Sequence, residues 1–408
     1  MWRTFGRIGL LSFGGPAAQI GLMHRELVER RPWLDEATYL RALSLCMLLP
    51  GPEAMQLATY AGWRLRGVAG GLLAGLLFVL PGACVIALLA LGYARYGDLP
   101  WVQSAFLGIK AAVVVVVFQA LARVARKALH GVAGWALALG AFLGLFLAGL
   151  PFPLIVLAAG LWGLLHGTDG AAPLPAAVPV PPRHAARTLL LWGSLWAAPL
   201  LLLALLDQSF LLDLGLFFSK LAVVTFGGAY AVLTYMTQQV VQDFGWISTD
   251  QMIDALGLAE TTPGPLILVT QFVAHLAGHL QGGLALAIAA GLLALWVTFT
   301  PCFLWIFLAG PYLERISAQP RLAGALRAIS AAVVGVIANL SVWFALHLLF
   351  ARLAPLPPLA TPLPVWSSLD GLALLLTAFC ALLMLGLGRG FVLTMGLAAL
   401  LSLLLSMI

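Results

Sequence analysis

Apolar runs of about twenty residues follow one another from end to end of the chain, and no other feature constrains its fold so tightly. A helix needs about 20 residues to cross the hydrocarbon core of a bilayer. Inside that core the backbone must satisfy its own hydrogen bonds, so helices and closed barrels are the options. The short alternating runs of an outer-membrane barrel are absent here. Only 9% of the 408 residues are charged, against about a quarter in a soluble domain. The chain is predicted to be an all-α polytopic membrane protein.

Segments are expected near 4–22, 38–62, 68–93, 104–122, 132–149 and 152–166, then at 188–206. Six more fall near 212–236, 250–276, 281–309, 323–349, 370–386 and 390–406. Residues 168–187 are rich in Pro and Ala and read as a linker. The expected division is 1–167, a linker 168–187, a connecting segment 188–206 and a second half 207–408.

The two halves repeat one another. Ser12-Phe13-Gly14-Gly15 matches Thr225-Phe226-Gly227-Gly228, and Pro50-Gly51-Pro52 matches Pro263-Gly264-Pro265, both at an offset of 213. Trp33 and Trp246 keep that offset. Farther on it becomes 220, for Pro81 with Pro301 and for IKAAVV (109–114) with ISAAVV (329–334). The change reads as about two helical turns inserted in the second copy. With an odd number of crossings between the two starts, the copies have inverted topology, with about 10 to 13 membrane segments in all.

Basic residues favour a cytoplasmic N-terminus. One set of loops holds Arg3, Arg7, Arg64, Arg66, Arg123, Arg126, Lys127, Arg183 and Arg187. The other holds Arg25, Arg30, Arg31, Arg41 and Arg95, several of them offset by acids. This placement at the ends of apolar runs explains the net charge of +6 without nucleic acid. The four cysteines are scattered singly, no metal or cofactor signature occurs, and His275/His279 lack a third ligand. Walker A and the common hydrolase motifs are missing, so a transporter rather than an enzyme is expected.

Broken helices at matching positions of inverted repeats are a mark of secondary transporters. The breaks are Gly14-Gly15-Pro16, Pro50-Gly51-Pro52, Gly227-Gly228 and Pro263-Gly264-Pro265. Each frees backbone N–H groups that suit an anion. Arg7 and Lys220 precede Ser12 and Thr225 by five residues each and are candidates to balance its charge; seven residues on, Gly14 and Gly227 would share their helix faces. Gln56 and Thr262 add polar side chains, and Glu53 and Glu260 are candidate coupling carboxylates. Glu53 is opposite Leu266 in the repeat, which sets it outside any symmetric anion site.

The stretches SFGGPAAQIGLMHRELVERRPWLDEATY, LLPGPEAMQLATYAGWRLRG, TFGGAYAVLTYM and AETTPGPLILVTQFVAH resemble the chromate ion transporter family, in its long two-domain form. The resemblance implies proton-linked efflux of chromate, a sulfate-like oxyanion, across the cytoplasmic membrane, and hence chromate resistance. It carries the family motifs onto Phe13, Gly14, Gly15, Pro16, Arg25, Pro50, Gly51, Pro52, Glu53 and Gln56. In the second half it carries them onto Phe226, Gly227, Gly228, Thr262, Pro263, Gly264 and Pro265. The alternatives are a sulfate or other inorganic anion importer and a membrane-embedded enzyme. The sequence sets no oligomeric state, and a homodimer is one option.

Overall fold

The computed structural model describes residues 1–13, 15–166, 182–226, 229–313, 316, 319–356 and 359–407. Gly14, Gly227, Gly228 and linker residues 168–181 lie outside the described residues. Nearly all of the rest is helix, with one two-stranded antiparallel ribbon, Leu353–Ala354 against Leu363–Pro364. Five described helices are long and apolar enough to cross a membrane: Glu53–Tyr96, Pro100–Ala128, Arg183–Leu205, Leu266–Tyr312 and Pro320–Leu349. Shorter apolar helices run over Gly131–Phe146, Phe152–His166, Gly371–Gly386 and Phe391–Ser406. The last six residues assigned to the linker, from Pro182 on, already belong to the helix Pro182–Leu205.

The chain folds into two compact units, each drawing on both sequence halves: residues 1–91, 163–229 and 262–326, and residues 92–162, 230–261 and 327–408.

In the first unit, the apolar run at 4–22 is not one crossing helix. Helix α1 (Trp2–Leu11) and helix α2 (Gly15–His24) are ten residues each, about 15 Å of helix, half of what a span needs. They fold back on each other. Arg31 donates to Thr4 Oγ1 at 2.5 Å, Phe5 faces Trp33 at 6.2 Å, and Gln19 donates to the Ser12 carbonyl at 3.2 Å. Such nested pairs need an antiparallel hairpin, because collinear helices would hold residues 5 and 33 about 40 Å apart. The hairpin base is charged. Glu26, buried, takes a hydrogen bond from Arg30 at 2.7 Å and lies 3.8 Å from both Arg7 and Arg31. The chain leaves α2 through a π-helical turn, Arg25–Glu29, and the second copy has one at the matching place, Gln238–Asp243.

The next helix, α3 (Glu36–Leu48), is capped by Asp35, which accepts from the Thr38 backbone and hydroxyl; those bonds hold its carboxyl below the ordinary value. His24 bridges Glu36 at 2.7 Å and Glu29 at 3.1 Å. Its pKa is raised, first by the hydrogen bond to Glu36, against a smaller lowering by burial, with Glu29 adding to the rise. The raised folded value means that the clamp stabilises fully below the unfolded value of about 6.5 and is lost as pH rises through the folded one. Amide exchange of residues 20–36, corrected for intrinsic rate, is expected to speed up on that rise. His24→Gln is expected to remove the pH dependence.

Long apolar stretches 53–96 and 269–309 each hide a sharp turn. Arg66 and Gly67 leave helical geometry in the first, Gly282 and Gly283 in the second, with φ of +61° at Gly67 and +74° at Gly283. Only glycine takes such angles without strain. Limb 53–65 therefore doubles back on helix 68–96, so tightly that a β-carbon at Gly62 would run into the Gly70 carbonyl and one at Gly70 into that of Gly62. Limb 269–281 does the same against 284–309, with His275 seated on Gly291. Each limb has 13 residues, about 20 Å, so its start lies deep within the bilayer when the turn sits at the surface. The first turn falls in the gap expected between segments 38–62 and 68–93, whereas the second falls inside the segment expected near 281–309, because glycine in an apolar run reads equally well as a packing site.

The turns also resolve the change of offset. Helix 53–65 begins at Glu53, but its counterpart begins at Val269, after a 3-10 turn at Leu266–Leu268 that the first copy lacks. The remaining four residues lengthen the return helix between Gly283 and Pro301. The insertion is thus one 3-10 turn plus one α-helical turn rather than two turns together. Glu53 is opposite Val269 in structure, not Leu266.

Helices Pro182–Leu205 and Ser209–Val224 pack on helix 269–309, where Trp192 stacks on Phe303 at 5.7 Å and Trp296 donates to the Leu195 carbonyl at 2.8 Å.

In the second unit, Pro100–Ala128 is the central helix. It carries the IKAAVV run in its buried stretch and packs against Thr249–Glu260, Gly371–Ala381 and Phe391–Ser406. Gly335 of helix Pro320–Leu349 sits directly on the Ala138 carbonyl, bringing in Gly131–Phe146.

Candidate site where the helix breaks meet

Within the first unit each Pro-Gly-Pro meets a residue of the other copy. Proline has no N–H, so Gly51 and Gly264 carry the sole backbone donor of each Pro-Gly-Pro. Gly51 N–H donates to the Thr225 carbonyl at 2.8 Å, and Gly264 N–H donates to the Ser12 carbonyl at 2.9 Å. The exchange is reciprocal: each copy's Pro-Gly-Pro closes on the other copy's hydroxyl residue at the end of the preceding helix, Thr225 or Ser12. Positive φ values of +118° at Gly51 and +91° at Gly264 aim the two donors.

The side chains follow the same plan. Ser12 Oγ donates to the Ile8 carbonyl at 2.5 Å, and Thr225 Oγ1 to the Leu221 carbonyl at 2.6 Å. These bonds back onto the preceding turn and end α1 and its counterpart. Gln19 donates to the Gly264 carbonyl at 2.7 Å, and Gln56 to the Pro50 carbonyl at 2.7 Å. Each Pro-Gly-Pro therefore has a buried amide on one carbonyl, although the two glutamines come from different places in the repeat. Both amide oxygens accept no hydrogen bond among the described residues. Ser12, Gln19, Gln56, Thr59, Thr225 and Thr262 are all buried. Gln19 extends the set of candidate residues beyond the family motif; its signal is a polar side chain inside an apolar run.

Pro16 lies in the first turn of α2, directly after Gly15 with φ +79°. Pro50 and Pro52 flank Gly51, and Pro263 and Pro265 flank Gly264. Gly82 packs on the Pro263 carbonyl, while its repeat partner Cys302 packs on Gly51, a second reciprocal pair.

The cations sit elsewhere. Helix α1 ends at Leu11, so the seven-residue spacing from Arg7 to Gly14 does not lie on one helix face. Arg7 is 56% exposed and faces Glu26 at the hairpin base. Arg25 and Lys220 are exposed. Glu53 opens its limb immediately after the first Pro-Gly-Pro.

Glu260 belongs to the second unit, at the end of Thr249–Glu260, where it accepts a hydrogen bond from the Tyr230 hydroxyl. The second unit also holds a charged group that sequence reading missed: Asp254, fully buried, with Tyr93, Lys110 and Asp250 around it.

A polytopic bundle of broken and doubled-back helices, whose two Pro-Gly-Pro breaks are closed by exchanged backbone bonds, is the architecture of a membrane transporter. The chain belongs to the chromate transporter family, whose model it matches over residues 1–164 and 212–403. It is 32% identical to a "Probable chromate transport protein" of Synechococcus elongatus, over 82% of this chain and 81% of that one. It is 31% identical to the "Chromate transport protein" of Cupriavidus metallidurans, over 82% and 79% of the two chains. The protein of the same name from Pseudomonas aeruginosa is 31% identical, over 83% and 78%. No solved structure matches the chain.

Proposed function

We propose that this protein is a secondary transporter that exports chromate across the cytoplasmic membrane, confers chromate resistance and takes sulfate as a close analogue. The relatives named as chromate transport proteins support the substrate. The reciprocal exchange between Gly51 and Thr225 and between Gly264 and Ser12 carries the mechanism.

At depth in a bilayer an unsatisfied donor costs several kcal/mol, so an empty anion site must satisfy its own donors. Six donors are parked on protein carbonyls here: the Gly51 and Gly264 amides, the Ser12 and Thr225 hydroxyls, and the Gln19 and Gln56 side chains. A dianionic oxyanion is the stronger acceptor, since charge-assisted bonds are roughly twice as strong as neutral ones. Chromate takes over these donors, with Gly14, Gly15, Gly227, Gly228 and Thr262 as the further residues assigned to its binding. Taking the two glycine amides also releases the ties between the copies, so binding and rocking are one event. The copies lie in inverted topology, with a cytoplasmic N-terminus. Arg7, Arg25 and Lys220 attract the anion from outside the breaks. Glu53 or Glu260 carries the coupling proton.

Uptake of labelled chromate into everted vesicles tests the reading, with sulfate competition and an imposed pH gradient. Accumulation above empty vesicles, reduced by sulfate, is the expected result; none would reject the substrate. Right-side-out vesicles accumulating chromate instead would reject export. At Glu53 and Glu260, Glu→Gln is expected to flatten the pH profile of uptake at the coupling position, while Glu→Asp keeps it. Identical profiles for both variants at both positions would remove these carboxylates from coupling.

A further inference from the structure

Helices 100–128 and 249–260 of the second unit press together closely enough that a β-carbon at Gly257 would sit 2.7 Å from Ile109 and 2.9 Å from Val113. One turn from Gly257 is Asp254, with none of its surface exposed. Its Oδ2 accepts from the Tyr93 hydroxyl at 2.7 Å, and Tyr93 is itself held edge-on by Phe106 at 5.2 Å. Its Oδ1 is buried and accepts no hydrogen bond among the described residues. Lys110 is the cation beside it, with Nζ 3.7 Å from that oxygen.

Lys110 is committed to the other acid. Its Nζ donates to Asp250 Oδ1 at 2.7 Å, and Asp250 is 72% exposed while Lys110 is 8% exposed. Asp250 and Asp254 stand four residues apart on one helix face, one at the solvent end and one inside, with a single ammonium between them. An ionised, unpaired carboxylate in such a place costs several kcal/mol. Two arrangements avoid that: Lys110 swings inward to an ionised Asp254, or Asp254 takes a proton while Lys110 stays outward.

We propose that Asp254 is a proton-carrying site, loaded and unloaded by the movement of Lys110 between Asp254 and Asp250. The inference rests on the reading of the chain as a secondary transporter, and it adds a carboxylate that neither repeat motif contains. The proton comes from solvent by way of exposed Asp250 and returns to solvent; Lys110 keeps its ammonium throughout. The ionisable groups that face the pair are Tyr93, with Asp98 acting on it from the loop that follows, Lys110 from helix 100–128, Asp250, and His347 of helix 320–349, on which Asp250 acts.

Two measurements on the purified full chain test this. The first is an infrared pH titration in lipid, which needs no substrate. A protonated-carboxyl band should grow as pH falls and disappear in Asp254→Asn, and in Lys110→Gln it should appear at higher pH because the competing ammonium is gone. A band unchanged in Asp254→Asn would overturn the proposal. The second compares gradient-driven chromate accumulation with chromate–chromate exchange in proteoliposomes. Asp254→Asn should lose accumulation at least tenfold and keep exchange, now independent of pH. Wild-type accumulation in that variant would overturn the proposal as well. Should Asp254→Asn fail to fold, the double variant Lys110→Gln/Asp254→Asn, which removes both buried charges of this cluster, carries both measurements. Absence of chromate movement in the wild type rejects the transport reading, and the infrared titration then decides the proton site by itself.

Discussion

Gly51→Val and Gly264→Val are each expected to abolish transport, with a loss of at least a hundredfold in initial uptake rate. Two effects combine. Both positions have positive φ, +118° and +91°, which a β-branched residue does not tolerate. A side chain at Gly51 also meets Cys302 Sγ at 2.9 Å. Rotating the backbone to relieve either one turns the only N–H of the Pro-Gly-Pro away from the opposite carbonyl. The donor is then stranded at depth and the tie between copies is gone. Gly21→Ala, at an open helical position, is the control and should transport normally. Uptake into everted vesicles, normalised to folded protein by fluorescence size exclusion, reads the result. Normal rates in Gly264→Val would show that the exchanged bonds are dispensable.

The second large effect concerns the fold itself. Gly62→Leu or Gly70→Leu should prevent limb 53–65 from lying on helix 68–96. Overpacking ordinarily costs about 1–3 kcal/mol, but here the obstacle is carbonyl backbone on the facing limb rather than a side chain that can turn aside. Loss of the monodisperse peak and of most folded yield is expected for either variant. Gly62→Ala should be intermediate, with a fall of several degrees in apparent melting temperature. A wild-type melting profile for Gly62→Leu would mean that the two limbs do not pack as described.

Much of this was legible in the residues, because the signals that carried it were local or repeated. Hydrocarbon content and run length gave a helical membrane bundle. Anchors such as Pro50-Gly51-Pro52 and Pro263-Gly264-Pro265 gave the repeat and the breaks, since two prolines around a glycine interrupt a helix in any setting. What stayed hidden depended on distance in space. Gly283 differs from a packing glycine only in a backbone angle. Arg7 seemed to share a face with Gly14 because the helix was read past Leu11, where Ser12 turns its hydroxyl back and ends it. Lys110 has Ser330 as its repeat partner, so the repeat does not mark it, and the acids beside it, Asp250 and Asp254, lie in the other half of the chain. An i, i+4 pair of acids at the start of an apolar segment was the one local hint.

The exchanged bonds also say something about descent. Neither half can finish its own Pro-Gly-Pro, for the carbonyl that closes it always comes from the other half. A chain of half this length would leave that donor open and would be complete only on meeting a second copy. The present polypeptide carries both sides of that exchange in one chain, on either side of residues 168–187. Cutting it there and expressing the two pieces together should restore what neither piece has alone.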